Sequence, residues 1–212
     1  VAFKFSNKKM YCYEGSIFVA GSAIQWLRDK LKFFKHSSET NQLYLKANNN
    51  ENITIIPALT GLGAPHWNSR VRGAIFGLTR NTSIADIVKA TLQSIAYQTF
   101  DLIHCMEKDA GKKMKEMRVD GGMVKNDNFI QFLSDVLQIN IIRPKNIETT
   151  ALGAAYLAGL FSGIIKDIVD IEKLWQYKNK FKPKMTKKTR NNQVKNWHYH
   201  IHKLLNYKEI SR

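Results

Sequence analysis

Apolar residues along this chain recur with two spacings, every second residue in some stretches and every third or fourth in others, and the switches between them mark out the elements. Ala2 to Phe5 and Met10 to Tyr13 alternate around Ser6-Asn7-Lys8-Lys9, which predicts a hairpin. Gly15 and Gly21 punctuate the next stretch, where Ile24, Leu27 and Leu31 place an apolar stripe on a helix running to about Phe34. Asn41 to Asn52, with Asn48-Asn49-Asn50 inside it, is expected to be a polar surface loop with one helical turn. Ile53 to Leu59 predicts a buried strand and Gly73 to Thr79 a second one. From Ser83 to about Glu107, the residues Ile84, Ile87, Val88, Thr91, Ile95, Leu102, Ile103 and Met106 share one broad helical face, and Gly111 stops that helix.

The chain then returns as a strand from Lys115 to Asp120 and enters MRVDGGMVKNDNFIQFLSD, Met117 to Asp135, around which the rest is organised. Arg118-Val119-Asp120 reads as a strand end and Gly121-Gly122 as a tight turn. Asn128 reads as the N-cap of a helix with Phe129, Phe132, Leu133 and Val136 on its apolar side. Ile139 to Arg143 is another strand, closed by Pro144. The small residues Gly153, Ala154, Ala155, Ala158 and Gly159 then suit a helix lying close against a sheet. Ile168 to Leu174 predicts a short helix and Asn191 to Asn206 a last one. Strands alternating with helices from Ile53 to Gly163 argue for an α/β layer architecture.

Candidate chemistry concentrates at the paired glycines. Without a Cβ the backbone at Gly121-Gly122 admits a flat ligand to contact distance, and the helix that follows favours anions and polar ligand edges at its N-terminus. Gly61-Leu62-Gly63-Ala64-Pro65-His66 is not a dinucleotide fingerprint, because the last glycine is absent and Pro65 interrupts a helix start; no GxxxxGK[ST] loop occurs. Trp67, Arg70 and Arg72 in this rigid loop either line a cleft or seal the surface. His198 and His202 stand four apart, but Tyr199 follows where a metalloprotease pair needs Glu, so no metal site is assigned.

At 212 residues the chain is long enough to bury a substantial core. Cys12 and Cys105 stand far apart without a metal-binding pattern, which points to core or boundary thiols in a reducing, cytoplasmic compartment. No leader precedes Val1, and the abrupt start suggests a piece of a longer chain. No window approaches the roughly 18 to 20 apolar residues that span a bilayer, so no membrane association is expected. Net charge is +16, with Lys178, Lys180, Lys182, Lys184, Lys187, Lys188, Arg190 and Lys195 in one acid-free run. That run is either a polyanion patch or a solvated segment; Phe181 and Trp197 are too sparse for base stacking, so nucleic acid is not the expected partner. The composition divides the chain into residues 1–175 and a basic extension, 176–212, with a terminal helix.

Several motifs together resemble the FGGY carbohydrate kinases of the actin-like ATPase superfamily. Gly73-Ala74-Ile75-Phe76-Gly77-Leu78, seven residues, then Asp86-Ile87-Val88-Lys89-Ala90-Thr91-Leu92-Gln93 is similar to the second signature of that family. YxxEGxxFxAG, IQWLRD, PALTGLGAPHW, RVDGGMVKN and TALGAAYLAG match in wording too, and nearly the whole chain corresponds to the C-terminal half of such an enzyme. The resemblance implies an α/β, actin-like ATPase or ribonuclease H-like domain with a mixed sheet flanked by helices, and phosphoryl transfer from ATP, with Mg2+, to glycerol or alternatively to a pentulose. It places Gly21 and Gln25 at the nucleotide with Ile24 beside them, and Gly122, next to Gly121, and Asn126 at the adenine and ribose. The implied partners are the N-terminal half of the same enzyme and further copies in a homo-oligomer. The family's catalytic Asp and its Mg2+-organising carboxylates precede Val1, so no catalytic residue is assigned here, and Asp120 is expected to fix the turn or a domain interface. Some bacterial members carry a regulatory surface with an acidic metal ligand after FxP; Pro183 to Asn191 here has no acid, which puts that regulation in doubt.

Overall fold

Residues 2–5, 8–48 and 52–207 are described by the computed structural model. Its spine is α3, Ile84–Ala110, about 40 Å long at the usual rise. Ser83 starts it with a reciprocal cap: its hydroxyl accepts the Asp86 N–H while the Asp86 carboxylate accepts the Ser83 N–H. Gly111, at φ 63, ends it in the left-handed conformation that an L side chain resists. Its face through Val88, Leu92 and Ile95 is buried against α1 (Gly21–Asp29), α2 (Thr40–Lys46), α4 (Asp127–Leu137) and β3 (Thr54–Ile56). Ile84, expected on that face, is 45% exposed.

The described residues form three small sheets. β1 (Phe3–Phe5) pairs antiparallel with β2 (Lys8–Met10), and Phe5 lies opposite Lys8. β2 therefore starts at Lys8, within the segment expected to turn, rather than at Met10; Ser6 and Asn7 lie outside the described residues. β3 pairs antiparallel with β4 (Ala74–Phe76). The third sheet is mixed: β5 (Glu116–Arg118) runs parallel to β6 (Asn140–Pro144), which runs antiparallel to β7 (Tyr177–Phe181) with an irregularity at Arg143/Pro144.

Four expectations are corrected. α1 stops at Asp29, not near Phe34, because Lys32 turns left-handed at φ 59 and brings Phe34 back into the core, leaving Leu31 39% exposed. Much of the polar segment from Asn41 onward is the two-turn helix α2 rather than a loop; Asn49 and Asn50 lie outside the described residues. The small-residue helix α5, Thr149–Phe161, buries no residue, so packing against the sheet is not what its glycines and alanines serve within this chain. Cys12 is exposed rather than a core or boundary thiol.

After α6 (Ile168–Leu174), residues 176–207 are joined to the body by hydrogen bonds and by burial. β7 belongs to the mixed sheet, and α7 (Lys187–Leu205) buries Val194, Trp197 and Ile201. Trp197, 1% exposed, stacks on Tyr97 at 5.3 Å and donates its indole N–H to Asp101 Oδ2 at 2.8 Å. His198 Nε2 meets the other Asp101 oxygen at 2.6 Å, while the His202 ring meets Asn206. Among the described residues no helix is long and apolar enough to cross a membrane.

Candidate functional site

Two segments converge on one face: the start of α1 and the strand, turn and helix formed by β5, Gly121-Gly122 and α4. α1 opens at Gly21 with no capping side chain; the Ala23 N–H bonds the Ala20 carbonyl at 3.0 Å, which leaves those of Gly21 and Ser22 for another acceptor. Gly121 sits at φ 82 and ψ −175, a conformation that only glycine adopts without strain, and its N–H donates to the Ile147 carbonyl at 3.0 Å. Gly122 begins a 3-10 turn to Lys125. A Cβ built on either glycine meets nothing within 4 Å, so the turn is bare on its outer side. A Cβ on Gly21 would come 3.5 Å from Met123 Sδ, which makes the two segments direct neighbours.

The six residues singled out from the sequence divide by what their side chains do. Gly21, Gly121, Gly122 and the exposed Gln25 face outward or offer only backbone, and Gln25 shares the face of Gly21 one turn on. Ile24 is buried, in the same core cluster as Val124, and so supports the shelf from beneath. Asn126 is buried as well, and it rather than Asn128 is the N-cap of α4: its backbone is extended, and its Oδ1 accepts the Phe129 N–H at 3.0 Å. Its Nδ2 donates to Thr40 Oγ1 at 3.2 Å. Asn128 lies inside the helix and donates to Asn41 Oδ1 at 2.7 Å.

Sequence reasoning missed the residues that hold this turn in place. Arg143, buried in β6, donates from Nη1 to the Val124 carbonyl at 2.7 Å and to Asp127 at 2.6 Å, and from Nη2 to Asn179 Oδ1 at 2.7 Å. A lone arginine in the apolar run NIIRP was the available signal. Thr149 donates to Asp120, so that carboxylate ties the strand end to the start of α5, as a turn-fixing role requires. In the loop after β3, Arg72 bonds the carbonyls of Ser69, Arg70 and Val71. Arg70 and Arg72 line a cleft with Phe76 and Lys203, and the 72%-exposed Trp67 lines another with Glu14 and Met106. The shelf itself offers bare backbone and amide donors, groups that can hydrogen-bond a ligand but carry no titratable proton to transfer.

The family model described as the FGGY family of carbohydrate kinases, C-terminal domain, matches residues 2–161. The chain belongs to that family. Glycerol kinase from Marinomonas sp. (strain MWYL1) is 51% identical over 197 residues, which cover 93% of this chain and 40% of the relative. Glycerol kinase from Mycoplasmopsis pulmonis is 45% identical over 210 residues, 99% of this chain and 41% of the relative. The chain thus spans about 40% of the length of the curated relatives it matches. Among solved structures, Plasmodium falciparum glycerol kinase with ADP superposes at a TM-score of 0.83 and 36% identity, over 92% of this chain and 38% of that one. Ligand-bound xylulose kinase from Lactobacillus acidophilus, at a TM-score of 0.73 and 21% identity over 90% of this chain and 39% of that one, shares the fold. The FGGY domain is therefore an α/β domain of the actin-like ATPase class.

Proposed function

We propose that this chain is the nucleotide-holding side of an ATP:glycerol phosphotransferase that makes sn-glycerol 3-phosphate. The observation that carries the reading is the bare Gly121-Gly122 turn beside the uncapped start of α1, in a chain 51% identical to a curated glycerol kinase. A purine can lie flat against the backbone itself where no Cβ intervenes, and carboxamide and N–H groups read its edge without a competing charge. Gly21, Gln25, Gly121 and Gly122 contact the nucleotide directly. Ile24 and Asn126 act from below, one by packing and one by capping α4.

Phosphoryl transfer is positioning plus charge stabilisation, and it requires a base for the hydroxyl proton and Mg2+ to bridge phosphates. The reading takes Mg2+ and the base from a part of the enzyme outside this chain, with which it forms a shared cleft.

Gly122→Val in the complete enzyme tests this. Gly122 has open space around it and no left-handed φ, so valine is tolerated by the fold while standing where the nucleotide lies. The KM for ATP is expected to rise about tenfold or more with the KM for glycerol unchanged. An unchanged ATP KM overturns the site. Turnover of xylulose or ribulose without turnover of glycerol overturns the substrate.

A further inference from the structure

Beside the last turns of α3 lies a cleft of about 660 Å³ that shares no lining residue with 21–25 or 121–126. Its size falls within the range of small-molecule sites. Leu102 and Met106 give it an apolar wall, Trp67 an indole, and Glu14 and Asp109 two carboxylates. Trp67 is mostly exposed and holds a backbone φ of 44, a conformation that a bulky L residue adopts only under strain. The loop enforces it. Leu62 and Asn68 exchange both backbone hydrogen bonds, at 2.8 and 2.9 Å, and the Trp67 N–H donates to the Gly63 carbonyl at 2.9 Å. Phe18 then braces the indole edge to face, with ring centres 6.3 Å apart. A strained backbone that displays an indole instead of burying it serves a contact that this loop does not make for itself.

The charge around that indole says what the contact is. In a chain of net charge +16, the cleft wall carries two carboxylates against one cation, Lys108. The carbonyl end of the 27-residue helix α3 adds its negative pole at the same place. There the Tyr13 hydroxyl donates to the Asp109 carbonyl at 3.5 Å, which brings a second aromatic side chain to the turn. A π face, carboxylates and a helix C-terminus each favour a cation, and the apolar wall favours one whose charge is wrapped in carbon.

We propose that this cleft binds an N-alkylated ammonium ion of the trimethylammonium type, with the cation on the Trp67 indole, its methyl groups against Leu102 and Met106, and Glu14 and Asp109 balancing its charge. A primary ammonium brings three N–H donors that each require an acceptor, whereas a quaternary one brings none and is held by π face and field alone. The inference stands independently of the kinase reading, because it uses none of that site's residues.

The test is an NMR titration of the chain with choline chloride, with ethanolamine hydrochloride, with 3,3-dimethyl-1-butanol, the uncharged carbon counterpart of choline, and with sodium chloride at matched ionic strength. The probes are the Trp67 indole N–H and the Met106 methyl group. Saturable shifts are expected with choline, about tenfold weaker binding with ethanolamine, and no saturable shift with the alcohol or sodium chloride. Choline binding read at Met106 is expected to weaken about tenfold in Trp67→Leu and about threefold in Glu14→Gln. Absence of saturation with choline, an equal response to the alcohol, to ethanolamine or to sodium chloride, or a Trp67→Leu variant that titrates like the parent overturns the proposal. If Trp67→Leu does not fold, Trp67→Phe takes its place, with about threefold weakening expected from its weaker π face.

Discussion

Arg143 shows how a single side chain fixes the candidate site. A buried guanidinium keeps its place where most of its donors are met, and here Nη1 meets the Val124 carbonyl and Asp127 and Nη2 meets Asn179, while the buried Nε has no partner among the described residues. Asp127 is 62% exposed, so that ion pair contributes little; the carbonyl and the amide, both away from bulk water, carry the effect. Arg143→Met is expected to lower stability by about 2–3 kcal/mol in urea unfolding, with the turn at Gly121-Gly122 losing amide-exchange protection first. The His198–Asp101 contact supplies a second expectation, about pH. The hydrogen bond to Asp101 raises the His198 pKa against the opposing effect of burial, while burial holds His66, which senses both groups, low. A raised folded-state pKa means that the stabilisation is complete below the unfolded value, about 6.5, and fades as pH rises through the folded one. His198 is 48% exposed, so the effect is below about 1 kcal/mol. The gap in Tm between the parent and His198→Gln should therefore be present near pH 5 and close by about pH 9; a gap independent of pH contradicts the assignment.

At the scale of elements, capping decides how α4 meets α2. Asn126 donates to Thr40 and Asn128 to Asn41, so the two helix starts are laced together by side-chain hydrogen bonds that only tertiary structure brings close. Asn126→Ala is expected to cost about 1–2 kcal/mol by denaturation and to raise the ATP KM of the complete enzyme as a consequence. Gly122→Val should raise the KM with stability unchanged within about 0.5 kcal/mol, which separates positioning from contact. The same lacing explains which elements were legible in the sequence. α3 was legible because its cap, its period and its terminal Gly111 all lie within the helix itself. The strand, glycine turn and helix of the candidate site were legible for the same reason, apart from a two-residue shift in the cap. α2 was not legible: TNQLYLK has too few apolar residues to announce a helix, and its first turn is held by Asn126 and Asn128, more than eighty positions away in sequence. β7 was hidden by charge. Its half-buried Asn179 and Phe181 alternate with exposed Lys178 and Lys180, a strand pattern inside what composition alone marks as a basic extension.

Across the whole molecule, the +16 charge and the apolar surface are distributed in different ways. The lysines of β7 lie along an edge strand, where like charge discourages pairing with another chain. No such protection covers α5 and the turn after it, where Leu157 is 62%, Phe161 96% and Ile164 83% exposed. A helix this apolar with nothing buried has the character of a covered face, and under the proposed function the part of the enzyme outside this chain is what would cover it. The chain by itself is therefore expected to bind ANS and to self-associate in sedimentation velocity. Leu157→Lys with Phe161→Lys should suppress both while leaving Tm unchanged, since neither side chain is buried. The same pair placed in the complete enzyme should lower activity or Tm, because there the lysines are driven under the covering half and desolvated. A complete enzyme indifferent to both lysines would mean that α5 faces water in the intact protein, and the small residues along it would then need another explanation.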